Sequence, residues 1–244
     1  MDITPTIMYE AKTDHQIHAL KSLFKKLSKS ITSAKIKFDN TGIWISALTE
    51  QEDAFIKIYM DAKNFNYYKN NCETEIIIGL DLEHLNKCFK KIAYDSAVLI
   101  LVKKIQNNNY LYINDKYINK IGFKDYILPK EIIFDMRYTM CIDTLLDIIK
   151  PNEIVTIKGK GNRIKFEDEN SNVIFDYQSN DTLTNGKNSI IKGTYFTKYI
   201  KNLINDQLSN TVDIYHKNDF PLVLVSSIGT IGRQHLFISP LNSI

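Results

Sequence analysis

Three cysteines, nine glycines, five prolines and one tryptophan in 244 residues already exclude several classes of protein. Cys72, Cys88 and Cys141 have neither the even count nor the spacing of a disulfide framework or a zinc site, so a reducing compartment is expected. The glycines do not gather into a phosphate-cradling loop, since Gly159-Lys160-Gly161 lacks the necessary spacing. No stretch reaches the roughly 18 to 20 uninterrupted apolar residues of a membrane helix, and no membrane partner is expected. Met1-Asp2-Ile3-Thr4-Pro5 shows no basic flank leading into an apolar run, so no secretory leader is expected there. Net charge is also small: 31 basic against 28 acidic residues leave +3. That balance says little about a polyanionic partner until the charges are placed. Lys, Asn and Ile are abundant, and runs such as Gln106-Asn107-Asn108-Asn109 point to an AT-rich coding bias, so lysine position counts for more than lysine number. The apolar fraction of 44% is that of an ordinary globular chain with a real core.

What is present is periodicity. Residues 14–31 predict a helix capped by Asp14, with Ile17, Leu20, Phe24, Leu27 and Ile31 in one apolar stripe. Lys21, Lys25 and Lys29 recur at four-residue steps on another face. Strand patterns follow at 35–39, 42–48, 54–61 and 74–79. A second helix is predicted over 81–92, with Leu82, Leu85, Phe89 and Ile92 inward and Lys87, Lys90 and Lys91 outward. Strands at 97–105 and 109–118 come next. Residues 119–132 lose periodicity yet keep Ile121, Phe123, Tyr126, Ile127 and Leu128, too apolar for an inert linker, and read as an ordered surface connector. The order of elements then repeats: a helix over 138–149, strands at 153–158, 163–167, 173–178 and 189–192, a helix over 194–205, and strands at 211–216, 221–228 and 234–239. A repeat of roughly 110 residues is longer than solenoid periods and points to a duplicated domain. Two helices and many strands per half predict an α+β fold with the helices on one sheet face. The domains are set at residues 1–118 and 133–244, with the connector 119–132 between them.

The chemistry of an enzyme is weakly represented, and no catalysis, cofactor or metal is expected. His15, His18, His84, His216 and His235 do not form a metal pair with a carboxylate at ligand spacing. Glu167-Asp168-Glu169 could imitate the carboxylates of a metal-dependent nuclease, but it sits between two strand patterns, where a solvated hairpin turn is the ordinary reading. Cys88, on an amphipathic helix, reads as a small buried hydrophobe.

Three stretches carry a resemblance. Residues 79–90 (Gly79-Leu80-Asp81-Leu82-Glu83-His84-Leu85-Asn86-Lys87-Cys88-Phe89-Lys90) resemble the first-domain helix motif of the proliferating cell nuclear antigen family, the eukaryotic and archaeal sliding clamps. Asp39-Asn40-Thr41-Gly42-Ile43-Trp44-Ile45-Ser46-Ala47-Leu48 is similar to the family's strand-turn-strand. Segments 211–215, 220–224 and 234–240 resemble its last three strands. The resemblance is colinear over nearly the whole chain. It implies two similar clamp-type domains, each with two helices on a curved antiparallel sheet, and three protomers closing into a ring around duplex DNA held without regard to sequence. It implies Lys21, Lys25, Lys87, Lys90, Lys198 and Lys201 on the DNA-facing helices. Leu48, Leu128, Pro129, Pro221, Ser239 and Pro240 match the family's site for short partner motifs. Ring closure through strands 109–117 and 173–178 implicates Tyr110, Tyr112, Ile174, Phe175 and Tyr177. The partners implied are a DNA polymerase, other replication and repair proteins and a clamp loader; the location implied is a nucleus or a viral replication site. Two features depart from the family: the chain is slightly basic, and Asp143 and Asp147 stand on a helix where a basic lining is implied, with only Arg137 nearby. A divergent, viral clamp fits the composition; a clamp-fold factor that forms no homotrimer is the alternative.

Overall fold

A computed structural model describes residues 6–72, 74–123, 132–151, 153–178, 183–184 and 190–241. The described residues fall into two compact units, one within 1–50, 56–126 and 228–234, the other within 51–55, 127–227 and 235–244. In chain order the first half runs β1 (Thr6–Thr13), α1 (Ile17–Leu27), β2 (Ser33–Phe38), β3 (Gly42–Leu48), β4 (Ala54–Asp61), β5 (Tyr67–Asn70), β6 (Ile76–Asp81), α2 (Leu82–Lys90), β7 (Val98–Ile105), β8 (Asn108–Ile113) and β9 (Lys116–Tyr117). The second half runs β10 (Met136–Cys141), α3 (Ile142–Ile149), β11 (Ile154–Lys160), β12 (Arg163–Glu167), β13 (Val173–Gln178), β14 (Leu183–Thr184), β15 (Ile191–Phe196), α4 (Lys198–Leu203), β16 (Thr211–His216), β17 (Leu222–Ile228) and β18 (Gly232–Ile238).

The two lists have the same order, and the pairing repeats with them. β1 lies antiparallel between β5 and β7, as β10 lies between β14 and β16. β2 lies between β3 and β6, as β11 lies between β12 and β15. The run β4-β3-β2-β6 of one half thus has its counterpart in the sheet β13-β12-β11-β15 of the other. The chain is an α+β protein of two similar domains, each with two short helices among antiparallel strands.

Burial explains why α1 and α2 stand where they do. Ile17, Leu20, Phe24 and Leu27 of α1 are all buried, as are Leu82, Leu85 and Phe89 of α2. Phe24 and Phe89 stack at 4.8 Å between ring centroids. Leu20, Phe24, Leu85 and Phe89 close a core against Ile36 and Phe38 of β2, Ile43 and Ile45 of β3, and Ile100 of β7. Each such side chain contributes roughly 1.5–3 kcal/mol by leaving water. With that stripe committed to the core, the opposite stripe of each helix must face solvent. Asp81 caps α2 by accepting from the His84 amide at 2.9 Å, which fixes where the helix begins and so the rotation of its outer face.

Several elements begin or end away from where periodicity places them. α1 starts at Ile17 after Gln16 rather than from an Asp14 cap. Residues 136–141 form β10 where a helix was expected from 138, and 191–196 form β15 where a helix was expected from 194. β1 and β5 were not foreseen. The 109–118 strand divides into β8 and β9 around a turn at Asn114 and Asp115. The connector begins as an added strand edge: the Ile121 amide donates to the Gly79 carbonyl at 3.1 Å, and Lys120 bridges to Leu80. A Cβ on Gly79 would stand 2.2 Å from the Ile121 carbonyl oxygen, so only glycine admits this approach.

The second domain contains a pH-sensitive element of the core. His216 is fully buried, its Nε2 is 3.1 Å from the Tyr195 hydroxyl, and Nδ1 has no partner among the described residues. Burial pushes its pKa down to about 4. Between pH 6.5 and about 4 the unfolded chain therefore binds a proton that the folded chain does not. Stability is fully present above pH 6.5 and falls as pH drops through that window, by up to about 3 kcal/mol. Melting temperature measured from pH 7 to 4 is expected to fall more steeply for the unaltered chain than for His216→Gln; parallel curves would exclude His216 as the source.

Candidate nucleic-acid interface

The solvent faces of α1 and α2 are basic. Lys25 and Lys29 are exposed on and just after α1, with Lys21 and Lys26 half-buried beside them. On α2 Lys87 and Lys90 are exposed, followed by exposed Lys91. The Asn86 amide donates to the Ser28 hydroxyl at 2.8 Å and ties the two helices together, so their outer faces form one surface. The one acidic side chain within α1 and α2 is Glu83, and it sits one turn before Lys87 at 2.6 Å. Hydrogen bonding to Glu83, and then its charge, hold the Lys87 ammonium above its ordinary pKa. Both partners are well exposed, 62% and 68%, so the pair is worth little and opens readily for a stronger anion.

Lys21 is placed differently. Its ammonium donates to the Ile92 carbonyl and lies 4.0 Å from the centroid of the Tyr94 ring, so it is held against the protein rather than extended into solvent. Tyr94 itself is 67% exposed, and periodicity gave no sign of it because it stands alone in the turn after α2.

The helices of the second domain offer a mixed face. Asp143 and Asp147 of α3 are both exposed, with Lys150 just beyond the helix. Arg137 is not on a helix: it lies on β10 and pairs with Asp213 at 2.8 Å. On α4, Lys198 is exposed and donates to Gln51 Oε1 at 2.6 Å, with Asp53 3.8 Å away. Lys201 is half-buried on the same helix.

The strands expected to close a ring are sheet edges in this chain. β13 ends its four-stranded sheet, and β9, paired with the end of β8, ends the five-stranded one. Tyr110 and Tyr112 of β8 gather on Tyr117 of β9, with ring centroids 5.7 and 6.0 Å away. On β13, Phe175 stacks on Tyr177 at 6.1 Å and Ile174 is half-buried; Val173 is 53% and Tyr177 38% exposed. Among the positions matched to partner motifs, Leu48 ends β3, Pro221 precedes β17, and Ser239 and Pro240 follow β18, all half-buried. Leu128 and Pro129 lie outside the described residues.

The carboxylate run reads otherwise than expected. Glu167 is buried at the end of β12 and pairs with Lys158 at 2.6 Å, so it is not part of a solvated turn. Asp168 accepts from the Asn170 and Asn172 amides and from Asn172 Nδ2, and this bonding holds its carboxyl below the ordinary range. Both are occupied structurally. His84 accepts from the Asn119 amide through Nδ1, a link from α2 to the connector. Burial raises the Cys88 thiol, which makes it a poor nucleophile.

Comparison with known proteins agrees with this architecture. The family model described as "Proliferating cell nuclear antigen, N-terminal domain" matches residues 8–138. The "Probable DNA polymerase sliding clamp" of Acanthamoeba polyphaga mimivirus is 30% identical over 256 residues, covering 96% of this chain and 54% of that protein. The chain thus spans about half the length of that relative. "Probable DNA polymerase sliding clamp 1" of Paramecium bursaria Chlorella virus 1 is 23% identical over 255 residues, 93% of this chain and 95% of the relative. Among solved structures, the PCNA2-PCNA3 complex from Sulfolobus tokodaii matches in fold, with a TM-score of 0.70 at 17% identity, over 95% of this chain and 99% of that one.

Proposed function

Because the chain belongs to the proliferating cell nuclear antigen family, we propose that it is a DNA sliding clamp, a subunit of a closed ring that surrounds duplex DNA and keeps a polymerase on its template. The observation that carries the proposal is the joined basic face of α1 and α2, rotated outward because the other face of each helix is spent on the core. Ammonium groups on a helix surface meet phosphates from outside the groove and select no base. A protein that slides needs this kind of contact. Topological closure then supplies the persistence that weak contacts lack.

In this reading Lys25, Lys87, Lys90, Lys198 and Lys201 meet phosphates, with Lys21 beside them. The ring is a homotrimer closed by strand pairing between the β8–β9 edge of one copy and β13 of the next, through Tyr110, Tyr112, Ile174, Phe175 and Tyr177. Unpaired backbone groups on both edges favour such pairing. A polymerase, other replication and repair proteins and a loader engage short motifs at Leu48, Leu128, Pro129, Pro221, Ser239 and Pro240, a groove-binding mode. The site of action is where nuclear or viral DNA is replicated. No catalytic step belongs to the protein.

The test is topological. Protein assembled on nicked circular duplex should co-elute with it on gel filtration at about 0.15 M salt and be lost once the circle is cut. Equal retention on circle and linear duplex would mean a non-encircling DNA-binding factor instead.

A further inference from the structure

We propose that Tyr94, steadied by Lys21 and flanked by His18, forms a stacking site for an unpaired base, so that the chain holds single-stranded DNA beside the duplex it encircles. This rests on the clamp reading and adds a second DNA substrate class to it. Tyr94 lies in the turn between α2 and β7 with 67% of its surface in solvent. An aromatic ring so exposed contributes little to the core, yet it is held in place. The Lys21 ammonium sits 4.0 Å from the ring centroid and is itself anchored on the Ile92 carbonyl, two residues before the tyrosine. The His18 ring, one turn earlier on α1, is 6.2 Å away with planes inclined by 33°. The phenol ring is thus backed by a cation while most of its surface stays open to solvent, where a base could approach. Exposed Lys25 continues along α1 and exposed Lys91 precedes the turn, so phosphates on either side of a stacked base would find ammonium groups.

Basic groups interleaved with an exposed aromatic are the chemistry of single-strand recognition, because every base has a π-face but a base within duplex keeps its faces stacked. Lys21 is then a positioning residue: its ammonium is committed to a carbonyl and a ring, and its effect on DNA acts through Tyr94. The sequence pattern put Lys21 among the phosphate-contacting lysines, and its geometry gives it this different task.

The experiment compares the full chain with Tyr94→Ala, Tyr94→Phe and Lys21→Met, using fluorescence anisotropy with a labelled thymidine 20-mer and a labelled 20-base-pair duplex. Tyr94→Ala should weaken single-strand binding by about tenfold and duplex binding by less than about twofold. Tyr94→Phe should bind as the unaltered chain does, since stacking uses the ring and not the hydroxyl. Lys21→Met should fall between the two on the single strand. Unchanged single-strand binding by Tyr94→Ala, or an equal loss on both DNAs, would overturn the proposal while leaving the clamp reading intact. Absence of single-strand binding by the unaltered chain would overturn it as well, and retention on the nicked circle tests the clamp reading separately.

Discussion

Replacing Lys25, Lys87 and Lys90 together by glutamate should abolish most of the salt-sensitive affinity for duplex DNA while leaving the fold and the assembly untouched. All three side chains are exposed, and none helps to form the α1–α2 core. Lys87 gives up only a solvent-exposed pair with Glu83, which contributes little to the fold. If each lysine neutralises one phosphate, the slope of log K against log salt should shrink by about 2.7 for each protomer engaged, and affinity near 0.1 M salt by at least about tenfold. The opposite change is expected at α3. Asp143→Asn with Asp147→Asn removes two exposed negative charges from a helix face, and duplex affinity at low salt should rise by about two- to fivefold. Anisotropy titrations between 0.05 and about 0.2 M salt measure both. A triple lysine variant with the unaltered slope would take α1 and α2 out of the DNA-binding surface.

The second large effect concerns closure. Val173 and Tyr177 of β13 are exposed in the isolated chain, at 53% and 38%, so its own fold asks little of them. Lysine at both positions places charge along a strand edge, the means by which natural sheets keep edges from pairing. The variant Val173→Lys, Tyr177→Lys is expected to melt within a few degrees of the unaltered chain yet to remain a single chain at micromolar concentration. Processivity should be lost with it. An assembly that survives both lysines would place the subunit contact elsewhere.

Much of this architecture was legible in the sequence where one period was unambiguous. The apolar stripes of α1 and α2 are buried as read, and β3, β4, β12, β13 and β16 span the residues their alternation indicated. Failures came where two periods coincide. Tyr138, Ile142, Leu145 and Ile149 lie at helical spacing, yet Met136, Tyr138 and Met140 also alternate. Tyr138 satisfies both patterns, and the backbone there is strand. Tyr195 is the same case, at helical spacing from Tyr199 and alternating with Ile191 and Gly193. β1 escapes the pattern because its buried positions, Tyr9, Ala11 and Thr13, include no aliphatic β-branched residue and one, Ala11, of weak strand propensity. In the candidate site, lysines were found by helical face, but what each ammonium touches depends on residues distant in the chain. Lys21 reaches Ile92 and Tyr94, and Lys198 reaches Gln51, contacts that no local pattern encodes.

The claim on which the rest depends is that copies of this chain join edge to edge into a closed ring. Light scattering coupled to size exclusion at micromolar concentration tests it most directly. Closure of three copies gives a particle of three times the 28.3 kDa chain mass. A species of 28.3 kDa across the micromolar range would contradict it, and the basic helix face would then belong to a protein that touches DNA without enclosing it.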